Sequence, residues 1–562
     1  MILKYEKWIV LPQATDSEIA TLGLGEVEST LLVHRGIYTE DDLDEFLSPT
    51  LSSVHDPFLL PDMSNSVDRL LQAVDSKEIV GVFGDFDTDG ISGTALLTRG
   101  LENLGLKVFP YVPHRVDEGH GISLQSLDFF SSKGVTLLIT VDCGVSSINE
   151  IQTAQDMGID TIVTDHHTAL DGMPHAIAIV NPSLPNSSYP FKYLTGVGTA
   201  FKVMQALYQR KKIELPDELY VYVTLGTISD VGLMRDENRY LVSKGMDVLR
   251  KSEFVSLDAL IKVSNASKKN LSTQDMSFGI IPRINVAGRL DHAKLSLRLL
   301  LSSDKSEADR LAQELNEMNK KRQSLTEKAM QEAKKQIKDD FKNGVPSIIF
   351  AGKSNWIPGI LGLIAGRLSE EYHRPAIVAS GDGEMFRASA RSIPEFNMIA
   401  ALDLCRDSFE RYGGHPMAAG FTIKKDRLRD FRKAMSSVAD ELLSGLDVEP
   451  KLTIEAEISP SWINSDSLSF LNALEPYGEQ NEEPIFMTSN MNVVDAKRVG
   501  AFKNHLKLTM EHQGRIYDSI AFRQGDRIDQ CKGSLDLAYK PEMNYWNGKY
   551  NLQFIVSDFR PA

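Results

Sequence analysis

The sequence predicts an α/β protein in four successive parts: a parallel-sheet domain, a long connecting helix, a smaller α/β domain and a C-terminal β-barrel. Three observations predict it. From Glu78 onward short apolar runs alternate with helix-like segments; beyond Asp304 apolar residues fall three or four apart over a long stretch; and after Lys451 apolar and polar residues alternate.

A chain of 562 residues is too long for one core, and about 150 residues per domain implies three or four domains. The 42% hydrophobic and 25% charged fractions exclude a disordered or fibrous chain. Lys4, Glu6 and Lys7 break the apolar start, so no signal peptide can be drawn. No run reaches the roughly 18 apolar residues of a membrane span. A soluble cytoplasmic protein without membrane contact is expected. Cys143, Cys405 and Cys531 form no Cys-x-x-Cys pair, which excludes a zinc knuckle and fits a reducing compartment. The net charge of −16 argues at first against phosphate-rich partners. Cation-binding carboxylates contribute to that sum, and a basic channel can sit on an acidic protein.

Strands are expected at residues 79–83, 136–141, 161–163 and 177–180, with helices between them, as in a parallel sheet. Leu311, Leu315, Met318, Leu325, Ala329, Ala333, Ile337 and Phe341 then mark one long helix, with Asp304 and Glu307 at its N-cap. Its polar faces suit a bridge between domains. Strands at 347–351 and 376–379 open the second α/β domain. Leu506, Leu508 and Met510, then Leu552, Phe554 and Val556, alternate in the last region, where Asn547-Gly548 signals a type I′ hairpin. The expected bounds are an N-terminal segment 1–45, a first domain 46–302, a connecting helix 303–345, a second domain 346–446 and a barrel 447–562.

The most informative segment is Gly84-Asp85-Phe86-Asp87-Thr88-Asp89-Gly90, three carboxylates at alternate positions after an apolar strand. Three like charges that close need cations. A calcium loop of the EF-hand type begins in the same way, but it requires Glu at position 96, which is Leu, and a preceding helix. A second strand ends in Asp142-Cys143-Gly144 and a third in Asp165-His166-His167; Asp230 follows an apolar run that reads as a buried helix. Ligands in open α/β sheets bind at the carboxyl ends of the strands. Singly, each aspartate is more often a cap or turn residue. Jointly they suggest a centre for two Mn²⁺ or Mg²⁺ ions, since aspartate and histidine without cysteine suit those metals. Two such ions about 3.5–4 Å apart can clamp both oxygens of a phosphoryl displacement. Phosphoester hydrolysis is the expected reaction.

Asp87-x-Asp89, Asp142, Asp165-His166-His167 and Asp230 resemble the four ordered motifs of the DHH phosphoesterases. Pro113-His114-Arg115 with Glu118-Gly119, Pro282-Arg283-Ile284-Asn285 with Gly288-Arg289, and Gly413-Gly414-His415 with Ala418-Ala419-Gly420 narrow the resemblance to the RecJ branch. It runs from about residue 45 to the end. It implies a DHH domain, a DHH-associated domain and an OB-fold, acting as a 5′-end exonuclease on single-stranded DNA in repair and recombination.

The resemblance makes Asp87, Asp89, Asp142, His166 and Asp230 the metal ligands, with Asp142 bridging the ions. Asp85 is either a further ligand or a carboxylate that orients the site. His167 is the candidate for contacting the scissile phosphate or moving a proton, whereas Asp165 holds a histidine or caps a turn. Arg289, Ser389, Arg391, Gly413, Gly414 and His415 would surround the 5′-terminal phosphate. Two departures stand out, Ile357 in Trp356-Ile357-Pro358-Gly359 and His120 in Glu118-Gly119-His120-Gly121, where relatives carry His and Tyr. The expected partners are single-stranded DNA and a helicase or single-strand-binding protein, with the chain a monomer. The competing readings are a DHH enzyme of short RNA or cyclic dinucleotides, and a non-catalytic replication factor. The C-terminal barrel argues against the first and the filled ligand positions against the second.

Overall fold

Strand β1 (Ile79–Gly84), β3 (Leu137–Val141), β4 (Asp160–Thr164) and β5 (Ala178–Val180) are buried along nearly their whole length. Such strands are covered by helices on both faces. With β2 (Lys107–Tyr111) they form a five-stranded parallel sheet in the order β2-β1-β3-β4-β5. The sequence pattern missed β2, whose Pro110 cannot donate to a ladder; β2 is accordingly an edge strand. Gly84, Val141 and Thr164 lie side by side in register. The next residue on each strand, Asp85, Asp142 and Asp165, therefore emerges at the same carboxyl edge.

The computed structural model describes residues 5–168, 172–338, 340–500, 503–546 and 549–562. It divides into two units, Leu51–Val448 and Met1–Thr50 with Glu449–Ala562. In the first unit, helices α1 (Thr88–Glu102) and α2 (Gly196–Lys211) pack on the sheet, α3 (Glu218–Ser229) packs against α1 and α2, and α4 (Ile281–Leu290) follows. α3 is buried from Leu219 to Ile228, as its apolar run predicts. The long helix α5 (Lys305–Ile337) is capped by Asp304, whose carboxylate accepts the Glu307 N–H at 2.7 Å. Ala308, Leu311, Ala312 and Leu315 belong to the first core, and Ala329, Met330, Ala333 and Ile337 to a core with Ile349, Trp356 and Leu361. The helix thus bridges the two α/β domains.

The second domain holds β6 (Ile349–Gly352), α6 (Leu361–Tyr372), β7 (Ala376–Ser380), β8 (Met385–Arg391), β9 (Phe409–His415) and β10 (Ala418–Lys424). Its sheet order is β9-β10-β8-β7-β6, with β9 at an edge.

In the other unit, β11 (Phe486–Val499), β12 (His505–His512), β13 (Arg515–Ala521), β14 (Ser534–Trp546) and β15 (Lys549–Pro561) pair as β11-β12-β13-β15-β14, and β14 returns to β11, closing a barrel. Closure leaves no open edge among these strands. The hairpin expectation falls on Asn547-Gly548, outside the described residues; β14 and β15 pair antiparallel, with Tyr545 opposite Tyr550. The first residues, expected only as a leading segment, join this unit: Lys7–Val10 pairs with Lys451–Ile454, and Leu22, Leu31 and Leu32 share the barrel's core. Arg35 is held there by Glu455 and Asn481, both at 2.7 Å. Among the described residues no helix is long and apolar enough to cross a membrane.

Candidate metal centre

The alternation of Asp85, Asp87 and Asp89 is not that of a strand, because β1 ends at Gly84 and α1 begins at Thr88. Asp87 caps α1: its Oδ1 accepts the N–H groups of Asp89 at 3.0 Å and Gly90 at 3.2 Å. Asp89 stands in the first turn and accepts the N–H groups of Gly196 at 2.7 Å and Val197 at 3.0 Å, at the start of α2. Two helix N-termini therefore fix these carboxylates, where exposed amides and the helix dipole favour negative charge. The packing is close enough that a Cβ on Gly226 would fall 2.4 Å from Asp89 Oδ1.

Asp142 sits in the left-handed region, with φ 61. Few residues other than glycine adopt it, aspartate more readily than most. His166 Nε2 lies 3.1 Å from Asp142 Oδ1 and 3.9 Å from Asp230 Oδ2. Among the described residues, three sets have ligand atoms within 4.8 Å of one another: Asp85, Asp87 and Asp142; Asp89, His166 and Asp230; and Asp142, His166 and His167. Asp142 and His166 each belong to two of them, and their 3.1 Å contact links Asp142 to the set of Asp89, His166 and Asp230.

Burial and mutual repulsion outweigh the backbone donors and nearby cations around these carboxylates. Burial, then the Asp85 charge, raises Asp87; burial, then Asp230 and Asp87, holds Asp89 well above the usual carboxylate range. Burial and four neighbouring aspartates do the same to Asp142, and partial burial with Asp87 pushes Asp230 up to about 7. Asp85 Oδ1 is buried and has no hydrogen-bond partner. Burial, then the His167 charge, pulls His166 down to about 4, leaving a neutral imidazole able to bind metal. Orphaned oxygen, crowded carboxylates and neutral histidine fit a pair of divalent cations.

Asp165 is buried and serves the histidines. Its Oδ1 accepts the N–H groups of His166 at 2.8 Å and His167 at 3.1 Å and meets His167 Nδ1 at 2.7 Å; Oδ2 accepts the Val145 N–H at 2.9 Å. Burial opposes the His167 charge, but Asp165 outweighs it and lifts His167 to about 9. The His167 ring stacks on His415 of the second domain, with centroids 5.9 Å apart. Asp165 was expected to hold a histidine or cap the following turn, and its Oδ1 does both.

A cationic pocket adjoins these carboxylates. Burial, then the charges of Arg115, Arg322 and Arg391, pulls Arg289 down to about 9. Burial also lowers Arg115, Arg322 and Arg391. Arg322 Nε is buried without a hydrogen-bond partner. Arg391 Nη1 lies 3.4 Å from Ser389 Oγ, and a Cβ on Gly362, at the start of α6, would lie 3.0 Å from both side chains. Clustered guanidiniums beside a helix N-terminus make an anion site. Gly413, Gly414 and His415 end edge strand β9 opposite Gly420, Ala419 and Ala418. Ile357 packs into the apolar cluster around Trp356 and Leu361.

Two members of this cationic cluster, Arg115 and Arg322, have no role assigned by the sequence pattern. Arg115 stacks 4.7 Å above the Phe86 ring, between the two sites. Its signal was the motif itself. Arg322 had none, since it reads as one more polar position on α5.

Family models match three segments: the DHH family N-terminal domain over residues 79–227, the DHHA1 domain over 344–441 and the RecJ OB domain over 454–558. The single-stranded-DNA-specific exonuclease RecJ of Haemophilus influenzae is 33% identical over 92% of this chain and 93% of its own length. The chain belongs to the RecJ family. The RecJ of Bacillus subtilis is 34% identical over 94% of this chain and 67% of its own. The crystal structure of RecJ in complex with Mn²⁺ from Thermus thermophilus superposes with a TM-score of 0.84 at 28% identity, covering 99% of this chain and 80% of that one. A Mg²⁺ complex of the same RecJ gives 0.79, covering 99% and 78%. The RecJ fold expected from the motifs, with its parallel sheet, connecting helix and C-terminal barrel, is borne out.

Proposed function

We propose that this chain is a metal-dependent exonuclease that hydrolyses single-stranded DNA from the 5′ end to mononucleotides in DNA repair and recombination. The carrying observation is that Asp85, Asp87 and Asp142, and Asp89, His166 and Asp230, each bring ligand atoms within 4.8 Å of one another, in the same unit as the arginine cluster and with Arg115 4.7 Å above the Phe86 ring. The names of the matched RecJ relatives support the substrate, and the metal complexes of the Thermus protein support the cofactor.

Asp85, Asp87 and Asp142 would hold one Mn²⁺ or Mg²⁺ and Asp89, His166 and Asp230 a second, with Asp142 shared. When bound, the ions supply Lewis acidity and an acidified water. Arg289, Ser389 and Arg391, joined by Arg115 and Arg322, bind the 5′-terminal phosphate, with Gly413, Gly414 and His415 alongside. His167, kept cationic by Asp165, contacts the scissile phosphate and gives a proton to the leaving 3′ oxygen. That cut leaves a phosphate on the new 5′ end, so each product strand is again a ligand for the pocket.

The barrel adds binding for long strands, as OB-folds do. A helicase or single-strand-binding protein supplies the strand to a cytoplasmic monomer. The functional bounds are 46–302, 303–345, 346–446 and 447–562, with 1–45 serving the barrel unit.

Purified protein with Mn²⁺ and DNA labelled at either end tests the proposal, with Asp142→Ala as control. Early release of 5′-terminal mononucleotides, absent in the variant and on blunt duplex, is expected. Turnover of short RNA or cyclic dinucleotides without DNA cleavage would overturn the substrate.

A further inference from the structure

The loop after β2 makes a contact to the carboxylate cluster that the expected site does not use. Glu118 pins that loop by accepting three hydrogen bonds, from Tyr111 O–H at 2.9 Å, His114 N–H at 2.7 Å and Ser123 O–H at 2.8 Å. Gly119 and Gly121 flank His120 with φ of 80 and 83, a backbone that glycine adopts without strain. His120 is thereby set against the Phe86 ring, with centroids 4.3 Å apart, and its Nδ1 lies 3.2 Å from Asp85 Oδ2. The other oxygen of Asp85, Oδ1, is the buried atom without a partner.

We propose that His120 is a positioning residue for the metal centre: its Nδ1–H holds Asp85 Oδ2, so that Oδ1 is presented as a ligand beside Asp87 and Asp142. The inference rests on the two-ion reading of the centre. A carboxylate torsion is broad, so an unheld Asp85 samples rotations that turn neither oxygen toward Asp87 and Asp142. Hydrogen bonds that orient ligands this way are worth about 10–100-fold in metal affinity. Phe86 carries His120 on one contact and Arg115 on another, at 4.3 Å and 4.7 Å. One ring therefore registers the metal side of the site against the phosphate side.

Mn²⁺ titration of the DNA-free full-length protein, with unbound Mn²⁺ read by electron paramagnetic resonance, tests the role. His120→Phe keeps a ring on Phe86 and removes the donor, whereas His120→Asn keeps a donor near the Nδ1 position and removes the ring. His120→Phe is expected to weaken one of two Mn²⁺ sites by about tenfold or more, with His120→Asn staying within about threefold of wild type. Circular dichroism confirms that both variants fold. His120→Phe binding both ions like wild type would overturn the inference, as would equal losses in both variants, which would assign the effect to packing. Asp142→Asn binding like wild type would overturn the metal centre itself, and the role of His120 with it.

Discussion

His167 Nδ1 lies 2.7 Å from Asp165 Oδ1, and Asp165 is buried beneath it at 1% exposure. The pair keeps an imidazolium at the mouth of a carboxylate cluster, where a neutral histidine could not serve as an acid at neutral pH. The adjacent His166, pulled down to about 4, has the opposite character. Two neighbouring histidines are thus divided between cation and metal ligand by which of them Asp165 holds.

Asp165→Asn therefore changes the pH profile as well as the rate. The raised His167 stays protonated below about 9, so wild-type single-turnover cleavage falls only as pH rises through that value. In the variant the alkaline limb moves down toward the ordinary histidine range near 6.5. At pH 8 the rate drops by about 10²-fold or more. An unmoved alkaline limb would remove His167 as the acid.

Metal-free protein gains stability as pH is lowered, within limits. The carboxyls of Asp89, Asp142 and Asp230 have raised folded pKa values, so their protonated forms favour the folded state. That contribution is fully present below the unfolded value of 3.8 and is lost as pH rises toward the folded values, about 7 for Asp230. Melting in EDTA is expected to fall between pH 5 and pH 8, and Mn²⁺ to raise it more at pH 8. Asp142→Asn relieves the repulsion and raises the metal-free melting temperature by about 2–4 °C, while abolishing cleavage. Destabilisation of the metal-free variant would contradict the charge crowding.

Arg289→Gln acts on one end of the substrate. Loss of a charged hydrogen-bonding group costs about 1.5–3 kcal/mol, on the order of 10–100-fold in kcat/KM for 5′-phosphorylated strands. Strands with a 5′ hydroxyl are expected to be cut equally by wild type and variant. Equal losses on both substrates, measured side by side, would place Arg289 outside the terminal-phosphate pocket.

Gly226→Ala tests the packing behind Asp89. The added Cβ would meet Asp89 Oδ1 and Val197 Cγ1, each at 2.4 Å, so helix or ligand must shift. A loss of about 1–3 kcal/mol in stability, with weaker Mn²⁺ binding, is expected by chemical denaturation and calorimetry. Unchanged Mn²⁺ affinity would contradict the expectation that Asp89 moves, and would place the shift in the helix.

The gathering of Asp87, Asp89, Asp142, His166 and Asp230 was legible because each follows a recognisable apolar element. The register of Gly84, Val141 and Thr164 converts that sequence pattern into a single edge. The connecting helix was legible from its period and its Asp304 cap. Arg322 was not: on α5 it is one polar position among many, and only tertiary packing brings its charge to bear on Arg289. The His120 contact with Asp85 was hidden for a similar reason, since it depends on a loop shaped by Glu118 and two glycines rather than on spacing. Strand β2 escaped because Pro110 speaks against a strand except at an edge.

The most direct test of the two-ion centre is an anomalous-difference map from crystals of the full chain grown with Mn²⁺. Two peaks are predicted, one against Asp85, Asp87 and Asp142 and the other against Asp89, His166 and Asp230, with Asp142 touching both. A single peak, or peaks that leave Asp142 without a metal, would contradict the bridging carboxylate on which the hydrolytic reading depends.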